Sequence, residues 1–134
     1  MKLALPALLL ASACGGGPHL SNLRCRAAQC QDVEDPVKLL LAVDFDDPSG
    51  TLDRGVLNLR LGGQTQQTVS LADIFPLQQL APGATKGTLQ IDDDLVLNRM
   101  SQGQGVKVSL TAVNGLGHGS NEPSLTFSLH LGGP

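Results

Sequence analysis

Three sets of side chains have types and spacings that could do chemistry: the cysteines at 14, 25 and 30, a group of carboxylates around Gly50, and a histidine in a glycine-rich stretch. Cys14 directly follows an apolar leader and directly precedes Gly15-Gly16-Gly17, a place where a thiol reads as an acylation site. Three is an odd number of cysteines, and an odd thiol in an exported chain needs an explanation. With Cys14 acylated, Cys25 and Cys30 are left to bridge across Arg26-Ala27-Ala28-Gln29 in an oxidising compartment. The alternative is a metal site made from Cys25, Cys30 and His19, although structural zinc takes four ligands at paired short spacings and only these three candidates lie near one another.

Asp44, Asp46, Asp47 and Asp53 surround Gly50, and carboxylates gathered in one loop could hold Ca²⁺, which takes six to eight oxygens. The spacing is not that of an EF-hand loop, because Gly55 stands where the bidentate Glu belongs. Solvated turn residues are the competing explanation. Asp92-Asp93-Asp94 reads as a solvated loop between strands. His118, with Asn121 close behind it, marks a candidate binding loop, since functional residues concentrate on loops; the plainer reading is turn chemistry. No G-x-S-x-G elbow, H-E-x-x-H or P-loop is present, and the histidines at 19, 118 and 130 suggest no nucleophile and base pair, so an enzyme is not expected.

Residues 1–13 have the parts of an export signal: Lys2, then an apolar run to Leu10, then Ala11-Ser12-Ala13. A bilayer span needs about 20 apolar residues, and Pro6 interrupts this shorter one. Ala11-Ser12-Ala13 suits ordinary secretion. Leu10-Ala11-Ser12-Ala13-Cys14 also resembles the lipobox of bacterial lipoproteins, with Leu one place further from the cysteine than usual. That resemblance implies diacylglycerol on the Cys14 sulfur, and Gly rather than Asp after the acylated residue implies the outer membrane of a two-membrane envelope.

Nine Lys and Arg stand against twelve Asp and Glu, for a formal net charge of −3. With no basic run to neutralise phosphates, neither nucleic acid nor an anionic lipid surface is an expected electrostatic partner. Three Phe and no Trp or Tyr leave little to stack on sugar rings, which disfavours carbohydrate. No cofactor is expected, calcium being the one candidate.

After the leader the apolar pattern has a period of two rather than that of a helix. Val37, Leu39, Leu41, Val43 and Phe45 alternate with less apolar neighbours, as do Leu57, Leu59 and Leu61. Val69 and Leu71 continue toward Ile74-Phe75-Pro76, read as a strand closed by proline, and Leu89 and Ile91 run through the aspartates to Leu95-Val96-Leu97. The clearest strands carry Val106, Val108, Leu110 and Ala112, then Leu125, Phe127, Leu129 and Leu131, around a loop at 114–121. About seven short strands predict an all-β, antiparallel sandwich of immunoglobulin-like type. Its boundaries read as a leader at 1–13, a polar tether with a small disulfide loop at 14–35, and the domain at 36–134.

The segment from Leu110 to Pro123, which includes Asn114-Gly115-Leu116-Gly117-His118-Gly119, resembles the last hairpin of bacterial immunoglobulin-like and fibronectin type III-like surface modules. Asp46-Asp47-Pro48-Ser49-Gly50-Thr51-Leu52 is similar to a turn those modules carry between early strands. The resemblances imply a non-catalytic module displayed on the cell envelope, where loops or an edge strand meet an envelope protein partner. A structural spacer and a secreted calcium-dependent adhesion module are the alternatives.

Overall fold

The computed structural model describes residues 17–94 and 103–130. The leader, Cys14 and the expected strand residues Leu95-Val96-Leu97 and Leu131 lie outside the described residues.

Alternation drives the two central strands. In β2 (Lys38–Asp46), Leu39, Leu41, Val43 and Phe45 point inward and are buried, and in β3 (Val56–Leu61) Leu57, Leu59 and Leu61 do the same. β1 (His19–Cys25) pairs with one edge of β2 and β5 (Lys86–Asp94) with the other, giving the antiparallel sheet β1-β2-β5. β3 is flanked by β4 (Gln64–Ser70) and β6 (Gly105–Val113), and β7 (Ser124–Ser128) completes the second antiparallel sheet, β4-β3-β6-β7. Leu61 and Gln64 pair across Gly62-Gly63, both at positive φ (59° and 86°), the two-residue hairpin turn whose twist matches that of its strands. One core lies between the sheets, with Leu41, Val43 and Leu89 contributed by one and Leu59, Leu110 and Phe127 by the other.

Three features differ from the sequence reading. The stretch expected as a tether is part of the sandwich from residue 17 onward. Its β1 buries Leu20, and the short 3-10 turn Ala28–Cys30 buries Cys30 in the core. β1 escapes notice because a register shift between Ser21 and Arg24, with Asn22 at φ 55°, breaks the period of two. Residues 71–77 form a helix, α1 (Leu71–Leu77), where a strand ending at Pro76 was expected. Leu71 and Phe75 lie one above the other on its buried face, and Pro76 falls in the last turn. Asp92-Asp93-Asp94 is the end of β5 and not a loop, so its middle carboxylate faces inward.

Carboxamide side chains stitch the two lateral seams between the sheets. Asn121 Oδ1 accepts from Leu20 N–H and its Nδ2 donates to Leu20 C=O, both at 2.8 Å. Gln31 treats His130 the same way, at 2.8 and 2.6 Å, and Gln78 does so to Gln90 of β5, at 2.9 and 2.7 Å. Gln29 Oε1 takes the Ser128 N–H. A planar amide offers one donor and one acceptor at the spacing of a neighbouring strand, so each acts as a one-residue bridge on an edge that would otherwise be open. Of the four edge strands, β4 is the one whose backbone receives no such bridge among the described residues.

Candidate functional site

The register places several loops at one end of the sandwich. His19 pairs with Asp46 and Asp46 with Lys86, so β1 and β5 begin where β2 ends. Val56 pairs with both Ser70 and Val113, which brings the start of β3 to the ends of β4 and β6. Segment 47–55, the chain from α1 to β5 and the 114–121 loop therefore share this end, and residues 17–18 enter there.

A buried carboxylate organises it. Asp47 is fully buried; its carboxylate accepts the Ser49 hydroxyl at 2.9 Å and Asn114 Nδ2 at 3.3 Å, and its N–H donates to Thr85 C=O. Ser49 Oγ lies 2.8 Å from Thr51 Oγ1, and Gly115 N–H donates to Thr51 C=O. Asn114, also buried, turns its Oδ1 to the N–H groups of Leu116 and His118, both at 3.0 Å. The network satisfies a charge that would be costly to bury alone and fixes the shape of the 114–121 loop.

The other carboxylates expected near Gly50 do not converge. Asp44 faces sideways from β2 and accepts from Thr88 Oγ1 at 2.8 Å, Asn22 Nδ2 at 3.1 Å and Arg24 at 3.2 Å. Those bonds, from Thr88 first and then Asn22, with the Arg24 charge adding to them, hold it below the ordinary carboxylate value. Asp46 sits 4.0 Å from Lys86 on the surface, and Asp53 Oδ2 accepts from Gly83 N–H. Among the described residues no group of three or more His, Cys, Asp or Glu side chains is placed to hold a metal ion. A disulfide joins Cys25 to Cys30.

Of the expected binding-loop pair, Asn121 is committed to Leu20 and serves the seam. His118 is exposed in the loop, its backbone N–H and C=O both bonded to Asn114. Beside this end, a cavity of about 510 Å³ opens between α1 and the 3-10 turn Leu52–Arg54, lined by Asp53 and Arg54 against Phe75, Pro76, Leu80 and Pro82. Sequence reasoning missed it, because α1, which forms its wall, was read as a strand.

Asp93 stands apart at the far end of β5. It is buried at 8% exposure opposite Leu39, and its Oδ2 finds no hydrogen-bond donor among the described residues. Loss of hydration, with the charge of Asp94 adding to it, pushes its pKa up to about 6.

A scan against protein-family profiles finds no match, and no curated protein matches the sequence. Among solved structures, the chain is similar to the PKD domain of an M14-like peptidase from Thermoplasmatales archaeon SCGC AB-540-F20. The TM-score is 0.52 and the identity 12%, over 85% of this chain and 96% of that one. The chain is an immunoglobulin-like β-sandwich. The Clostridium perfringens spore cortex lytic enzyme SleM also aligns, at a TM-score of 0.41 and 14% identity, over 84% of this chain but 28% of the enzyme. The sandwich thus spans little more than a quarter of that protein's length.

Proposed function

We propose that this chain is an exported lipoprotein whose sandwich is a non-catalytic interaction module, held at the cell envelope by acyl chains on Cys14. The observation that carries the reading is the disposition of the thiols. The Cys25–Cys30 bridge uses two of the three cysteines, and the remaining one stands at the junction of an export-type leader and the folded domain. Two or more acyl chains give stable anchoring where a single chain does not.

In this reading an envelope protein is the partner and strand addition at β4 its mode of contact. β4 carries Gln64-Thr65-Gln66-Gln67-Thr68-Val69-Ser70, with no charge or proline to discourage pairing, whereas amide bridges occupy the backbones of the other edges. The sandwich architecture, without a convergent catalytic set in its sequence, supports display rather than catalysis.

The test is the intact mass of the protein extracted from membranes, before and after reduction and alkylation. A mass of residues 14–134 plus acyl groups, with two further thiols appearing only on reduction, is the expected result. An unmodified mass in the soluble fraction would sink the proposal and favour a secreted module. In-cell crosslinking then separates a binder, which enriches one neighbour reproducibly, from a spacer, which does not.

A further inference from the structure

We infer that the 114–121 loop is a membrane-contacting loop, with Leu116 resting in the headgroup layer of the bilayer that holds the lipid anchor. The inference rests on acylation of Cys14 as proposed above. It adds an orientation for the module and a residue that touches lipid.

The tether between the acylated cysteine and the folded domain is short. The chain is already docked at Gly17: a β-carbon built there would lie 2.2 Å from the Gly119 carbonyl oxygen, an approach that only glycine permits. Pro18 is buried next to it, and at Leu20 Asn121 clamps both backbone groups. The incoming chain is thus fixed to both flanks of the loop's C-terminal half. Only Gly15 and Gly16 separate Cys14 from this contact, and three residue steps reach at most about 11 Å. Headgroups occupy about 5–8 Å on each side of a bilayer core. A thiol carrying acyl chains therefore holds Gly119 within little more than a headgroup layer of the hydrocarbon.

The loop's chemistry suits that place. Between Asn114 and Asn121 there is no carboxylate, lysine or arginine to desolvate. Leu116 is 58% exposed, one of three large apolar side chains so presented among the described residues, and glycines on either side keep neighbouring side chains from shielding it. A single leucine would not recruit a free protein to a membrane. On an anchored one the effective concentration of bilayer is high, so a weak local contact suffices to set orientation. The nine residues of β2 put the opposite end, where Val33 is 85% exposed, about 25–30 Å further from the bilayer.

The chain contains no tryptophan, so one introduced residue is a unique reporter. The full lipidated protein, as Leu116→Trp or as Val33→Trp, is reconstituted into phosphatidylcholine vesicles with or without brominated acyl chains, and flotation is measured on the same samples. The expected result is that both variants float, that Trp at 116 shifts to the blue and loses most of its intensity to bromine, and that Trp at 33 does neither. Flotation with neither reporter quenched, with both quenched alike, or with 33 quenched instead of 116, would overturn the loop contact while leaving the anchor standing. Failure to float would overturn the anchor and the contact together.

Discussion

Replacing Asp93 with Asn should stabilise the sandwich at neutral pH and do little at pH 4. The carboxyl is buried opposite Leu39, its neighbour Asp94 is a like charge, and its pKa is raised from 3.8 to about 6. A carboxyl whose folded pKa lies above its unfolded value favours the folded state only while protonated. Its contribution is complete below the unfolded value and is lost as pH rises through the folded one. From these two values, ionisation costs about 3 kcal/mol at pH 7 and about 0.5 kcal/mol at pH 4. The strand end lets water screen part of this, so the cost at pH 7 is about 2 kcal/mol, worth about 8 °C in Tm for a domain of this size. Asn keeps the shape and an acceptor without the charge. The assay is thermal denaturation of the native protein and Asp93→Asn at both pH values. Other titrations cancel in the difference between the two proteins. A difference in Tm that is equal at pH 7 and pH 4, or an Asn variant that melts lower at pH 7, would refute the reasoning.

Four further outcomes are expected. Asn121→Ala leaves the N–H and C=O of Leu20 without their partner and should cost about 1–3 kcal/mol, with the Leu20 amide exchanging hydrogen faster than the amides of β2. Asp47→Ala removes the acceptor shared by Ser49 and Asn114 and should lower stability by at least about 2 kcal/mol, read as a fall in urea midpoint. Reducing the Cys25–Cys30 bridge frees a five-residue closure and should cost about 2 kcal/mol, seen by comparing melts with and without reductant. Thr88→Ala should raise the Asp44 titration midpoint toward 3.8, measured from carboxyl chemical shifts. The stability that Asp44 contributes is present above its unfolded value and lost as pH falls through its depressed folded one.

Where a strand is buried on one face, its sequence announces it. Leu39 to Phe45 in β2, Leu57 to Leu61 in β3 and Val106 to Ala112 in β6 alternate cleanly, and each lies where the alternation puts it. The 114–121 loop was legible from its glycines. β1 was not, because it buries only Leu20 and exists by pairing with β2 across a bulge. α1 was not, because two turns give too few repeats to tell a helix from a strand, and Pro76 argued for a break. The carboxylates around Gly50 show the same limit from the side of function. Close together in sequence, they leave β2 and its turn in different directions and meet different partners.

The sequence alone therefore determined the two-sheet class, the hairpin loop and the solitary position of Cys14, because these depend on local periodicity, turn chemistry and residue count. Only the tertiary structure decided that the supposed tether is the first strand, that Asp47 anchors the 114–121 loop through Asn114, and that amides at 31, 78 and 121 close the seams. The physical reason is that a polar group's role depends on which donor or acceptor lies within about 3 Å of it. For Asn121 and Leu20 that partner lies 101 residues away along the chain, a distance no local pattern encodes.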